Sequence, residues 1–193
     1  MPVFLVRHAQ SAPDFEIDHA RWPLSELGRR QARALVPYLE TLQLQALYTS
    51  PYLRASDTLR PFAEAAALPL VEVLELRERD LSPEMFDDFE RSIRRCFAEP
   101  DWSVGAGGES NGVLGRRMRA AVATLLERHG DRPVAAGSHG QAIAALLASI
   151  EPAFGHREWR AMRNPDVFAI ECVAGELRWD GRSLRPDGDL PDP

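Results

Sequence analysis

The chain has no lysine: all 23 of its basic residues are arginine. An arginine in this background says little by itself and points to an anion site only where its place in the pattern does. Cysteine is also scarce. Cys96 and Cys172 lie far apart and fit no zinc or redox spacing. Both are expected to be free thiols in a reducing compartment, the cytoplasm. The histidines at positions 8, 19, 129, 139 and 156 include no i, i+4 pair on a helix, so no metal and no cofactor is expected. Long apolar runs are missing: Ala142 to Ile150 falls far short of the roughly 20 residues that cross a bilayer. Arg7 and His8 interrupt the N-terminal apolar run, which therefore does not read as a signal peptide. Neither a membrane nor a nucleic acid is an expected partner, the latter because the net charge is −6. The sequence says nothing of oligomeric state.

What is present suits a single catalytic domain. A length of 193 residues with 45% hydrophobic content supports one core. That domain is expected over 1–181, with 182–193, rich in Pro, Asp and Gly, as a poorly ordered tail. Val3 to Val6 reads as a buried strand ending on Arg7-His8. After a polar loop, Ser25 is placed to cap a helix running to about Leu42, interrupted at Pro37. Ala46 to Thr49 is a second strand. Ser50-Pro51 then predicts a helix beginning directly off it, with Arg54 in its first turn. Leu70 to Val73 is a third strand, leading to Leu76-Arg77-Glu78.

An amphipathic helical segment over Ser82 to Pro100, with Met85, Phe86, Phe89, Ile93 and Phe97 on one side, is expected to pass over the pocket. Its aromatics belong to the core in this reading. A helix from Asn111 to His129 stops at Gly130, which makes Arg128-His129-Gly130 a helix terminus. Val134 to Gly137 is a strand ending on Ser138-His139-Gly140, followed by a small-residue helix from Gln141 to Ile150. Arg157 to Met162 is helical. Val167 to Val173 and Leu177 to Asp180 form a hairpin at the sheet edge. His19 and His156 are expected on surface loops.

Three strands thus end on Arg7-His8, on Ser50-Pro51 with Arg54 beyond, and on Ser138-His139-Gly140; a fourth ends near Glu78. In a parallel-type sheet such ends share one edge, where ligands bind. Two histidines, two arginines and a glutamate are what phosphoryl transfer to a histidine needs. Fixed cations hold the phosphoryl oxygens, a neutral imidazole attacks phosphorus, and a carboxylic acid protonates the leaving oxygen. The field of Arg7 and Arg54 is expected to lower the pKa of His8, and burial or bound phosphate to raise that of Glu78. His139 is expected to become a protonated donor once phosphate is bound.

At this point the chain resembles the histidine phosphatase superfamily, whose fold is phosphoglycerate mutase-like. The likeness rests on Val6-Arg7-His8-Ala9-Gln10-Ser11, Pro23 to Ala32, Tyr48 to Thr58, Leu76 to Asp80, Gly108-Glu109-Ser110 and Ser138-His139-Gly140, in order. It implies a three-layer α/β fold: a mostly parallel central sheet, helices on both faces, and an antiparallel edge strand or hairpin. It implies that His8 is phosphorylated, that Arg7, Arg54 and His139 hold the phosphoryl group, and that Glu78 is the acid and base. Ser11 matches a frequent phosphate contact. Gln10, Asn164 and Glu109 are weaker substrate-binding candidates; Glu109 either lines the pocket or serves its helix N-terminus. Ala9 stands where the family usually has Gly, and Asp14 where many members have an Asn that contacts phosphate.

The expected function is therefore a phosphomonoester hydrolase, of the histidine-type acid or broad-specificity kind, acting on a small phosphorylated metabolite and releasing inorganic phosphate. The stretch between Glu78 and Glu109 is short and lacks the proline-rich segment of mutases, which favours hydrolysis over mutase-type transfer. The same residues would also suit a protein phosphohistidine phosphatase or, in a different class, a non-catalytic phospho-ligand or partner-binding protein.

Overall fold

Val3, Phe4, Leu5 and Val6 are all buried, and they divide between two cores. A strand covered on both faces has this continuous apolar character. The computed structural model describes residues 2–80, 88–105 and 107–184. Its elements run β1 (Val3–Arg7), α1 (Glu26–Ala34), α2 (Val36–Thr41), β2 (Ala46–Thr49), α3 (Leu53–Ala65), β3 (Leu70–Glu72), α4 (Phe89–Ala98), α5 (Asn111–His129), β4 (Val134–Ser138), α6 (Gly140–Ile150), α7 (His156–Ala161), β5 (Asp166–Val173) and β6 (Glu176–Trp179). Val3 and Leu5 pack with α5 and α6, and Phe4 and Val6 with α2 and α3. The result is the expected three layers.

The sheet order is β3-β2-β4-β1-β5-β6. β3, β2, β4 and β1 are mutually parallel, β5 runs antiparallel to β1, and β6 antiparallel to β5. Arg7 lies opposite Ser138, and Thr49 opposite Gly137, so the C-terminal ends of β1, β4 and β2 are level. The register of β5 brings Asp166 opposite Arg7. The hairpin to β6 turns through Ala174 and Gly175, both at positive φ, the conformation that suits a two-residue connection.

Several sequence expectations hold in detail. Ser25 caps α1, accepting from the Gly28 N–H at 2.9 Å. Pro37 falls in the first turn of α2, and the expected single helix is split there. Gly130, at φ 61°, ends α5.

Others need correction. Ser50-Pro51 does not open α3: Tyr52 is the N-cap and the helix begins at Leu53. The buried Ser50 instead sits against His139. Of the segment after Ser82, the described part is helical over Phe89–Ala98, capped by Asp88, and Phe89 itself is exposed, not on a core face. Met85 and Phe86 lie outside the described residues. α4 docks on α7, through Glu90 on His156 at 2.9 Å and Phe97 on Trp159. His156 is therefore half-buried in a helix contact, not on a surface loop. The tail departs from expectation at its start, because Leu184 N–H donates to Val167 O at 2.8 Å and Ser183 bonds Asp166. The rest of the tail lies outside the described residues.

The loop after β1 is held by a close approach. A Cβ on Gly28 would lie 2.0 Å from Gln10 O, and no rotation of a flexible side chain relieves a clash with backbone. Gly28→Ala is expected to destabilise the protein by about 1–3 kcal/mol and to lower turnover through the displaced loop. Urea denaturation at neutral pH checks it; an unchanged midpoint would show that the loop yields freely.

Candidate active site

His8 is the first residue past β1. Its N–H still reaches Ser138 O at 3.1 Å, and the chain then leaves the sheet. Ala9 N–H donates to Thr58 Oγ1 at 2.9 Å, and Gln10 N–H to Gln31 Oε1 at 3.0 Å, so α3 and α1 fix the departing loop. His8 Nδ1 lies 2.7 Å from Ala9 O, an acceptor only. The proton therefore sits on Nδ1, which leaves the Nε2 lone pair available. Arg54 Nε donates to that atom at 3.2 Å, consistent with this tautomer. Burial, then the Arg54 charge, outweigh the Ala9 bond and, with Arg7, push the imidazole down to about 3. Burial is thus a larger cause than the arginine field expected from the sequence.

The other groups converge from separate elements. Arg54, in the first turn of α3, is buried, gives Nη1 to His19 O at 2.7 Å and lies over the Tyr52 ring. His139, the N-cap of α6, is fully buried, with its ring centroid 5.3 Å from that of His8. Its Nε2 is 2.8 Å from Ser50 Oγ, while its Nδ1 is buried with no partner among the described residues. Burial, then His8 and Arg54, hold it well below the ordinary histidine range. Arg7 gives Nη1 to Met162 O at 2.8 Å, and its Nε is likewise buried without a partner among the described residues. Its guanidinium lies against Gly140, where a Cβ would come within 3.1 Å of Cζ.

Glu78 is half-buried and reaches the N-terminus of α6. Its carboxylate accepts from the N–H groups of Ala142 at 2.9 Å, Arg79 at 3.0 Å and Gln141 at 3.3 Å. Its charge acts on both Arg7 and Arg54. These donors match an ionised carboxylate at a helix N-terminus. The structure thus brings Arg7, His8, Arg54, Glu78 and His139 to one sheet edge.

Most of the weaker candidates have partners within the protein. Gln10 Oε1 accepts from Ser25 Oγ at 2.7 Å, so this side chain serves the α1 cap. Asn164 spends Nδ2 on His8 O at 2.8 Å, which ties the β5 approach to the histidine backbone. Glu109 is turned to a guanidinium: Arg117 grips its carboxylate at 2.8 and 2.6 Å. Ser11 is half-buried, in a one-residue bridge to Leu24. Asp14 is exposed and accepts from Glu16 N–H at 3.0 Å, bending its own turn. Ala9 does not adopt positive φ, which is why it can stand in place of glycine.

Sequence reasoning missed four participants. Ser50 has the local pattern of a helix start. His19 supplies a carbonyl to Arg54, and a carbonyl carries no sequence signal. Arg79, 1% exposed, donates to Gln141 Oε1 and Glu109 O at 2.7 Å each and to Asn111. Arg117 binds the loop that carries Glu78. In a chain whose cations are all arginine, nothing distinguishes these last two.

The chain is similar to known proteins over nearly its whole length. The family model of the histidine phosphatase superfamily (branch 1) matches residues 3–181. The chain is 31% identical over 204 residues to a probable phosphoglycerate mutase of Klebsiella pneumoniae, covering 98% of this chain and 94% of that protein. It is 29% identical over 182 residues to an uncharacterised phosphatase of Bacillus subtilis, covering 92% and 90%. Among solved structures, a mycobacterial glucosyl-3-phosphoglycerate phosphatase in complex with inorganic phosphate superposes with a TM-score of 0.73 at 27% identity, covering 93% of this chain and 95% of that one.

The two buried histidines of the site, His8 and His139, set a pH dependence. As pH falls below 6.5, the unfolded chain protonates both while the folded chain keeps His8 neutral down to about 3 and His139 neutral well below 6.5. The unfolded state binds more protons there, so stability is lost as pH falls. The limiting slope is about 1.4 kcal/mol per pH unit for each histidine. Denaturant midpoints between about pH 7 and pH 5, above most carboxylate titration, should fall with pH, and His8→Gln should remove one proton's share. An unchanged slope in that variant would show that His8 is not buried neutral.

Proposed function

The chain belongs to the histidine phosphatase superfamily (branch 1), and from that membership and the geometry of the strand ends we propose that it is a phosphomonoester hydrolase working through a phosphohistidine at His8. One observation carries the reading: His8 Nε2 is unprotonated in a buried site that also holds two arginines and a second neutral histidine with an unpartnered nitrogen. Among the described residues, such a site holds cations and a donor with no anionic group at hydrogen-bond distance from His8. A phosphate dianion supplies that anion.

The Arg54 bond to Nε2 must give way before attack, and an arriving phosphoryl oxygen is the stronger acceptor. Nε2 then attacks phosphorus. The P–N bond forms as the P–O bond to the leaving group breaks, and the electron pair stays on the leaving oxygen. Arg7, Arg54 and His139 stabilise the charge on the non-bridging oxygens. Glu78, in its acid form, gives its proton to the leaving oxygen, and an alcohol departs. The Glu78 carboxylate next takes a proton from water, whose oxygen attacks phosphorus. The P–N bond breaks, its electron pair returns to Nε2, and inorganic phosphate leaves.

The substrate is read as a small phosphorylated metabolite. The solved mycobacterial phosphatase holds inorganic phosphate in the same fold, which supports a phosphate site here. Residues 1–181 form the catalytic domain in this reading, and the free thiols Cys96 and Cys172 fit the cytoplasm. Among the described residues no helix is long and apolar enough to cross a membrane. The Klebsiella relative keeps mutase-type transfer as a second reading. Equilibration of phosphoglycerates without net phosphate release would establish it.

His8→Ala should lower phosphate release from p-nitrophenyl phosphate by roughly 10⁵-fold or more, the scale lost with a nucleophile. Rapid acid-free quenching of the unaltered enzyme should trap an alkali-stable phosphoryl group on His8. Full turnover in His8→Ala would remove the proposal.

A further inference from the structure

Glu78 lies in a segment, Glu75 to Asp80, that belongs to no strand or long helix beyond its first residues. Its backbone has a fixed place all the same, and side chains from the start of α5 supply it. Arg117 donates Nη1 to the carbonyls of Glu75 and of Arg77, the latter at 3.1 Å, and Nη2 to the carbonyl of Glu78 itself at 3.3 Å. The same guanidinium grips Glu109 through Nε and Nη2. Glu109 in turn accepts from Asp80 N–H at 2.9 Å and gives its own N–H to Asp80 O at 2.8 Å. The two side chains are only 11% and 10% exposed. Burial pushes the Glu109 carboxyl up, but the bonds from Arg117 and Asp80 and the Arg117 charge outweigh this and hold it below the usual carboxylate range. The pair is therefore ionised, and it holds backbone on both sides of Glu78.

We propose that Glu109 and Arg117 are positioning residues for the Glu78 proton transfer, fixing how far the carboxyl group reaches toward the leaving oxygen. The proposal rests on the reading of Glu78 as the acid. A pair that merely stabilised the fold would have no reason to hold three carbonyls in the one segment that carries the proton donor. The α6 N–H groups orient the carboxylate, and Arg117 sets the backbone from which it extends.

The step at issue moves one proton from Glu78 to the leaving oxygen as the P–O bond breaks. A nitrophenolate leaves readily as an anion and needs that proton little, whereas an alkoxide needs it in full. Leaving-group dependence therefore separates positioning of Glu78 from general damage to the site. The experiment measures kcat and KM on p-nitrophenyl phosphate, phenyl phosphate and glycerol phosphate for the full chain and for Glu78→Gln, Arg117→Met, Arg117→Lys and Glu109→Gln.

Glu78→Gln calibrates the assay and should slow glycerol phosphate far more than the nitrophenyl ester. Arg117→Met and Glu109→Gln should do the same, by a further roughly 10- to 100-fold in kcat on the alkyl ester, the scale of an ångström's misplacement, with KM little changed. Arg117→Lys, which keeps the charge without the fork, should fall between. In Glu78→Gln/Arg117→Lys the second change should cost nothing more on glycerol phosphate. Equal losses on all three esters in folded Arg117 variants would overturn the proposal, as would additive losses in the double variant. If Arg117→Met does not fold, the lysine variant and the double variant decide alone. A flat leaving-group dependence in Glu78→Gln itself would instead remove Glu78 as the acid, and the positioning role with it.

Discussion

Two guanidinium groups and two imidazoles share one buried sheet edge, and they coexist there only because both imidazoles are neutral. Each proton added would place a third or fourth positive charge within a few ångströms of Arg54, in surroundings where such repulsion is poorly screened. The surrounding groups follow from that constraint. Ala9 O takes the Nδ1 proton of His8 and fixes the tautomer. Glu78 and Asp166 supply the countercharge felt by Arg7, without bonding either histidine. An anion that carries its own negative charge is then the natural occupant, and Nε2 of His8 is unprotonated before it arrives.

The sheet delivers these groups with little local help. β1, β2 and β4 end level because their register is parallel, and Gly140 allows the Arg7 guanidinium to lie against the chain at the start of α6. Arg54 comes from the helix after β2, and Glu78 from the segment after β3. Each strand end therefore contributes one kind of chemistry, and no single loop holds the site. The cost falls on Glu78, the one member carried by neither a strand end nor a helix, and it is there that Arg117, Glu109 and Arg79 gather.

Much of this was legible in the residues. β1 showed itself by an apolar run broken by Arg7-His8, the β5–β6 hairpin by Ala174-Gly175, and the end of α5 by Gly130, because each signal is local. The five groups of the edge were legible as an ordered set of motifs. What stayed hidden was decided by distant partners. Ser50-Pro51 has the local chemistry of a helix start, yet the hydroxyl faces His139, 89 positions away. Glu109 reads equally as a pocket-lining or a helix-terminus acid until Arg117 is placed beside it. Gln10 stands between His8 and Ser11 in the motif, but its side chain is turned to the α1 cap by Ser25. Arg79 and Arg117 could not be told from any other arginine in a chain that uses no lysine.

The antiparallel strand beside β1 carries a further implication. Arg7 is held by Met162 O and His8 O by Asn164, at separations of 155 and 156 positions. The first of these residues to leave the ribosome are thus fastened by some of the last. During synthesis the reactive imidazole waits without its supports until β5 has emerged and paired. Contacts this distant in sequence form slowly. The strand-end groups are therefore brought to their places only as the sheet is completed, and the N-terminal strand has its full set of partners last.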